Sequence, residues 1–97
     1  MNRTDVLSLL NKHREDIQRR FRVKTLGVFG SAARDEMREG SDVDVLVEFN
    51  GPPTFDGYMD LKFFLEELLG TKVDLVTIDA VKPRMRPIIE KDLIDVA

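Results

Sequence analysis

The sequence predicts an α/β (α+β) domain: a small mixed three-stranded sheet with helices packed mainly on one face, in the order α-β-α-β-α-β-α. Three observations carry this expectation. Apolar residues recur at helical spacing near the N-terminus and again around Leu65. Three short runs rich in β-branched residues, TLGVF, VDVLVEF and VDLVTI, separate the helical segments. Glycine and proline clusters punctuate the boundaries.

Val6, Leu7, Leu10 and Ile17 set the first stripe, with Thr4 as N-cap and Phe21 closing the apolar side, so residues 4–20 read as one amphipathic helix. Thr25 to Phe29 follow as a short buried strand, broken by Gly30-Ser31. Ala32 to Arg38 are good helix formers, and Gly40 supplies a stop. Val43 to Phe49 form the second strand, ended by Asn50-Gly51-Pro52-Pro53. Asp56 can cap the next helix, whose stripe of Leu61, Phe64, Leu65 and Leu68 ends at Gly70. Val73 to Ile78 are the third strand, and Arg84 to Asp95 a closing helix with Pro87 in its first turn. Strand order and direction stay open at this level.

Composition narrows the function. With 97 residues there is room for one domain, residues 1–97, and none for a second, substrate-gripping one. No apolar run approaches the roughly 20 residues that span a bilayer, and the N-terminus lacks a signal peptide's apolar stretch, so a cytoplasmic protein without membrane contact is expected. The chain has no cysteine and one histidine, His13, which leaves oxygen ligands for any metal. A net charge of -3 disfavours extended nucleic-acid binding.

The chemistry concentrates in a few residues. Asp42 and Asp44 are two apart at the start of a strand, so both carboxylates leave the same face and can grip one ion. Their mutual repulsion is relieved by a hard cation such as Mg²⁺, which binds through a few carboxylates plus phosphate oxygens. Asp74, set in the next strand, can bring a third carboxylate to the same end of the sheet, and three can hold two ions for an in-line displacement. Gly30-Ser31 offers free N–H groups and a hydroxyl to an anion, and Arg34, one turn on, can face the same phosphate. Arg34 can equally pair with Asp35 or Glu39 on the surface. Tyr58, Phe63 and Phe64 fit a core stripe better than a base-stacking platform, and His13 reads as a solvent-facing helix residue.

The series Gly30-Ser31, Arg34, Ser41-Asp42-Val43-Asp44 and a lone strand aspartate, Asp74, resembles the DNA polymerase beta type nucleotidyltransferase superfamily. Within it, the run GVFGSAARDEMREGSDVDVLVEF looks like the core of the small minimal nucleotidyltransferases that are paired with HEPN-domain toxins. The resemblance implies that Gly30 and Ser31 hold the triphosphate, that Asp42 and Asp44 ligate two Mg²⁺ ions, and that Asp74 helps to deprotonate an acceptor hydroxyl. Ser41 would cap and orient the acidic pair. It further implies AMP transfer from ATP, with a tyrosine of a HEPN-type ribonuclease toxin as acceptor and this chain as the antitoxin. Neutralisation by binding alone, and transfer to a small molecule, are the competing expectations. One departure is visible: Asp35 follows Arg34 where many relatives carry glycine, which sets a negative charge near the expected phosphate site.

Overall fold

The N-terminal apolar stripe is divided between two helices in the computed structural model of the chain, which describes residues 1–96. Ala97, the last residue of the expected domain, lies outside the described residues. Helix α1 (Arg3–Lys12) begins one residue before Thr4. Its cap is Asn2, whose side-chain oxygen accepts from the Asp5 N–H at 2.9 Å while the Asp5 carboxylate accepts from the Asn2 N–H at 3.1 Å. His13 then bends the chain into α2 (Arg14–Phe21). Helical hydrogen bonds continue across the bend: the His13 N–H donates to the Leu9 carbonyl and the Ile17 N–H to the His13 carbonyl. The apolar stripe therefore survives it, and Val6, Leu10 and Ile17 are fully buried. His13 itself is half-buried, with its ring edge-on to Phe64 at 6.4 Å.

The three expected strands form as β1 (Val23–Phe29), β2 (Val43–Phe49) and β3 (Val73–Thr77), and a fourth, β4 (Ile94–Asp95), was not expected. The sheet order is β3-β2-β1-β4, with β2 parallel to β3 and β1 antiparallel to both β2 and β4. The closing helix is correspondingly shorter than Arg84 to Asp95: α5 spans Arg86–Asp92 and the chain is extended from Leu93. Gly27 explains the switch. A Cβ there would stand 2.6 Å from Leu93 Cδ1 and 3.2 Å from the Ile94 carbonyl oxygen, so the missing side chain is what lets this segment lie on β1.

The helix after Gly30 is also shorter than Ala32 to Arg38. Only α3 (Gly30–Ala33) forms, followed by a left-handed Asp35 at φ 60°. Helix propensity here yields to tertiary ties, since the Asp35 carboxylate accepts from the Arg3 N–H at 3.0 Å and Arg3 Nη1 donates to the Ala33 carbonyl at 3.3 Å. Helix α4 (Phe55–Leu69) is capped by Thr54, whose hydroxyl accepts from the Gly57 N–H at 3.0 Å, rather than by Asp56; it ends, as expected, at left-handed Gly70. Of its aromatic residues, Phe64 packs against Phe21 at 5.2 Å, but Phe63 is exposed and is no part of the core.

The two faces of the sheet have different duties. Leu26, Val28, Val43, Val45, Val47, Val73 and Leu75 alternate onto one face, where they are buried with residues of α1, α2 and α4. Phe29, Asp44, Leu46 and Asp74 occupy the other face, which the segment from Ile78 to Leu93 covers in part. The main helix layer thus lies on one side as expected, and α5 lies on the other. Gly27→Val should destabilise the fold by about 1–3 kcal/mol by displacing Leu93. Urea unfolding measures this, and an unchanged midpoint would contradict the role given to Gly27.

Candidate active site

Backbone pairing brings the chemistry together. Asp44 on β2 is paired on one side with Phe29, the last residue of β1, and on the other with Asp74 on β3. Paired residues on neighbouring strands direct their side chains to the same face, so Asp44 and Asp74 stand side by side. Asp42, two residues earlier and just ahead of β2, is exposed, and its charge acts on Asp44. The residue after Phe29 is Gly30, so the glycine turn follows directly from the row that holds the two carboxylates.

Gly30 has φ 67°, a conformation that side-chain-bearing residues rarely adopt, and a Cβ at this position would overlap the Asp44 carboxylate. Glycine is required twice over, once for the turn and once for the close approach of backbone to carboxylate. The Phe29 N-cap makes no side-chain hydrogen bond to α3, and the first N–H groups of any helical turn have no partner within it. Ser31, half-buried, follows on this turn.

The other expected residues are placed differently. Arg34 borders the same cleft but is held by two carboxylates, with Nε donating to Glu36 at 3.0 Å and Nη1 to Asp92 at 2.6 Å. Its partners are therefore neither Asp35 nor Glu39. These bonds, to Asp92 first and then Glu36, raise the Arg34 pKa above its ordinary value. Asp35 points away, toward the start of α1, so its charge is engaged there and not on the glycine turn. The Ser41 hydroxyl accepts from the Arg38 N–H at 3.0 Å, and its carbonyl accepts from Thr71 Oγ1 at 3.3 Å. Ser41 thus closes the loop that delivers Asp42 and ties it to the start of β3.

A cleft of about 390 Å³ opens beside this row, lined by Phe29, Gly30, Arg34, Asp74 and residues of the C-terminal segment. Lys82, Met85, Ile88 and Asp92 are the cleft residues that sequence reasoning missed. The proximity of KPRMRPIIEKDLI to the sheet was legible, but its place over Gly30 depends on β4 and hence on Gly27. The Tyr58 hydroxyl donates to the Leu75 carbonyl, so that residue serves the framework beside β3.

Oxygen-donor side chains on two adjacent strands, Asp44 and Asp74, and on the loop before β2, Asp42, suit a hard divalent cation. Among the described residues no three such side chains are yet closed around one point, so an ion would have to draw Asp42, Asp44 and Asp74 together by rotamer changes. Asp44 carries the electrostatic mark of the arrangement. Partial burial pushes its pKa above the ordinary carboxylate value, the charges of Asp74 and Asp42 push it further, and Arg34 opposes them.

The chain belongs to the nucleotidyltransferase domain family, whose model matches residues 10–96. It is 42% identical over 92 residues, 94% of each chain, to the Methanocaldococcus jannaschii protein MJ0128, and 42% identical over 78 residues to the protein adenylyltransferase MntA of Thermococcus cleftensis, covering 80% of this chain and 79% of that one. A solved minimal nucleotidyltransferase superposes with TM-score 0.82 at 35% identity, covering 97% of this chain and 95% of that one. A chain in the complex of tri-AMPylated Shewanella oneidensis HEPN toxin with MNT antitoxin shares the fold, with TM-score 0.68 at 16% identity over 94% of this chain and 71% of that one. No helix among the described residues is long and apolar enough to cross a membrane.

Two outcomes follow from the geometry. Because the folded-state pKa of Asp44 is raised, ionising it disfavours the folded state: stability falls as pH rises from the ordinary carboxylate range through the raised value. Asp44→Asn should therefore melt at a higher temperature than wild type at pH 7 in chelator, with the advantage shrinking as pH is lowered; equal melting temperatures at pH 7 would contradict this. Gly30→Ala should destabilise by about 1–3 kcal/mol, and part of that loss should vanish in an Asp44→Ala background. A double-mutant cycle reads the coupling, and strict additivity would speak against the contact.

Proposed function

We propose that this chain is a protein adenylyltransferase that moves AMP from ATP to a hydroxyl of a HEPN-type toxin, and so acts as the antitoxin of the pair. The observation that carries the reading is the overlap that a side chain at Gly30 would make with the Asp44 carboxylate, which holds an anion-accepting turn against the acidic row. The kinship to MntA and the shared fold of the MNT antitoxin supply the acceptor class.

Asp42, Asp44 and Asp74 would hold the divalent ions. Bound there, magnesium would neutralise charge on the triphosphate and make an acceptor hydroxyl more acidic. The Gly30-Ser31 turn receives phosphate oxygens on its free N–H groups and the Ser31 hydroxyl, fixing the α-phosphorus beside Asp44. The acceptor oxygen, from a tyrosine of the partner, attacks that phosphorus. A new P–O bond forms, the bond to the β-phosphate breaks, pyrophosphate leaves, and Asp74 accepts the hydroxyl proton. Asp74 suits that role because it is exposed at the row's edge, where an incoming partner can reach it, whereas Asp44 is half-buried. Ser41 fixes the loop before Asp42, and so the reach of that carboxylate.

Incubating the chain with ATP, Mg²⁺ and a HEPN-type toxin, followed by intact-mass spectrometry, tests this. The toxin is expected to gain one or more AMP units on tyrosine, and an Asp42→Asn, Asp44→Asn double variant to add none. An unmodified toxin that the wild type and the double variant neutralise equally would replace the enzyme with a masking protein.

A further inference from the structure

Two cationic side chains, Arg34 and Lys82, stand in the wall of the cleft beside Gly30 and Asp74, and their surroundings differ. Arg34 is committed within the protein, bonded to Glu36 and to the mostly buried Asp92. Through Asp92 it ties the last turn of α5 to the residue that ends α3, so it acts as a strut across the cleft. Lys82 is exposed and, among the described residues, makes no ion pair. Its main chain is nonetheless fixed. The Lys82 carbonyl accepts from the Met85 N–H at 2.9 Å, and Pro83 restricts the backbone of the residue before it. The ammonium thus stands on an anchored main chain at the cleft wall with no carboxylate among the described residues to neutralise it.

A nucleoside triphosphate entering this site brings several negative charges to a row that already holds three carboxylates. The charge of Arg34 is already met by two protein carboxylates, so the cleft's available cation is Lys82. We propose that Lys82 binds the β- and γ-phosphates of the triphosphate and stabilises the departing pyrophosphate, whereas Arg34 is a structural strut. The α-phosphate is excluded as its target because that group must lie at the Gly30 turn beside Asp44 for transfer to occur. A compact ammonium on a flexible stem suits this task, since charge builds on the leaving group as the bond to the α-phosphorus breaks. The proposal rests on the nucleotidyl-transfer reading.

Calorimetric titration with Mg²⁺ and either AMP or an ATP analogue bearing a non-cleavable α–β linkage separates the possibilities. Lys82→Ala should weaken the analogue roughly tenfold, leave AMP binding and the melting temperature unchanged, and be largely rescued by Lys82→Arg. Arg34→Gln should instead lower the melting temperature. If Lys82→Ala loses nothing, or loses AMP and the analogue equally, the assignment is overturned while nucleotidyl transfer stands. If the wild type binds neither ligand, the nucleotidyl-transfer reading falls and takes the assignment with it.

Discussion

The contact of the Gly30 backbone with the Asp44 carboxylate is the constraint on which the site depends. On the proposed function it would join two requirements that are otherwise separate, an anion cradle and a cation-binding row, within one step of the β1–β2 ladder. The Phe29–Asp44 and Asp44–Asp74 pairings set that step, and the valines alternating onto the buried face hold the register. A shift of one residue in β2 would send Asp44 into the core and the valines into the cleft.

That arrangement sets function against stability. Asp44 sits half-buried beside two further carboxylates, a placement that raises its pKa and weakens the folded state at neutral pH. Nothing in the packing requires an acid there, because the neighbouring Val43 and Val45 face the core and Asp44 does not. On the proposed function, that cost is offset when a cation and a polyanion bind together. The rest of the chain compensates with reciprocal caps, the strut from Arg34 to Asp92, and a core that contains no buried polar or charged residue among those described.

Much of this was legible in the sequence where a local rule and the tertiary structure agree. The alternation of VDVLVEF put Val43, Val45 and Val47 on the buried face and Asp44 on the other, and the β-branched runs located three strands to within two residues. The Gly30-Ser31 break marked the turn. Legibility ended where long-range contacts override local preference. Ala32 to Arg38 should be helical by propensity, yet Asp35 is held to the start of α1 and the helix stops after one turn. The end of the closing helix was misread because the partner of Ile94 and Asp95 is a bare stretch of β1 at Gly27, some seventy residues earlier in the sequence. The surroundings of Arg34 were hidden for the same reason, since Asp92 reaches it only through that fold-back.

The geometry claims that one small region receives both a divalent cation and a nucleotide's phosphates. Paramagnetic broadening of backbone amide resonances by Mn²⁺, with a non-hydrolysable ATP analogue present, examines it residue by residue. Ser31, Asp44 and Asp74 are expected to broaden together at the lowest Mn²⁺ concentrations, ahead of every residue on the helical face. Broadening that spares Ser31, or that begins at another acidic patch of the surface, would contradict it.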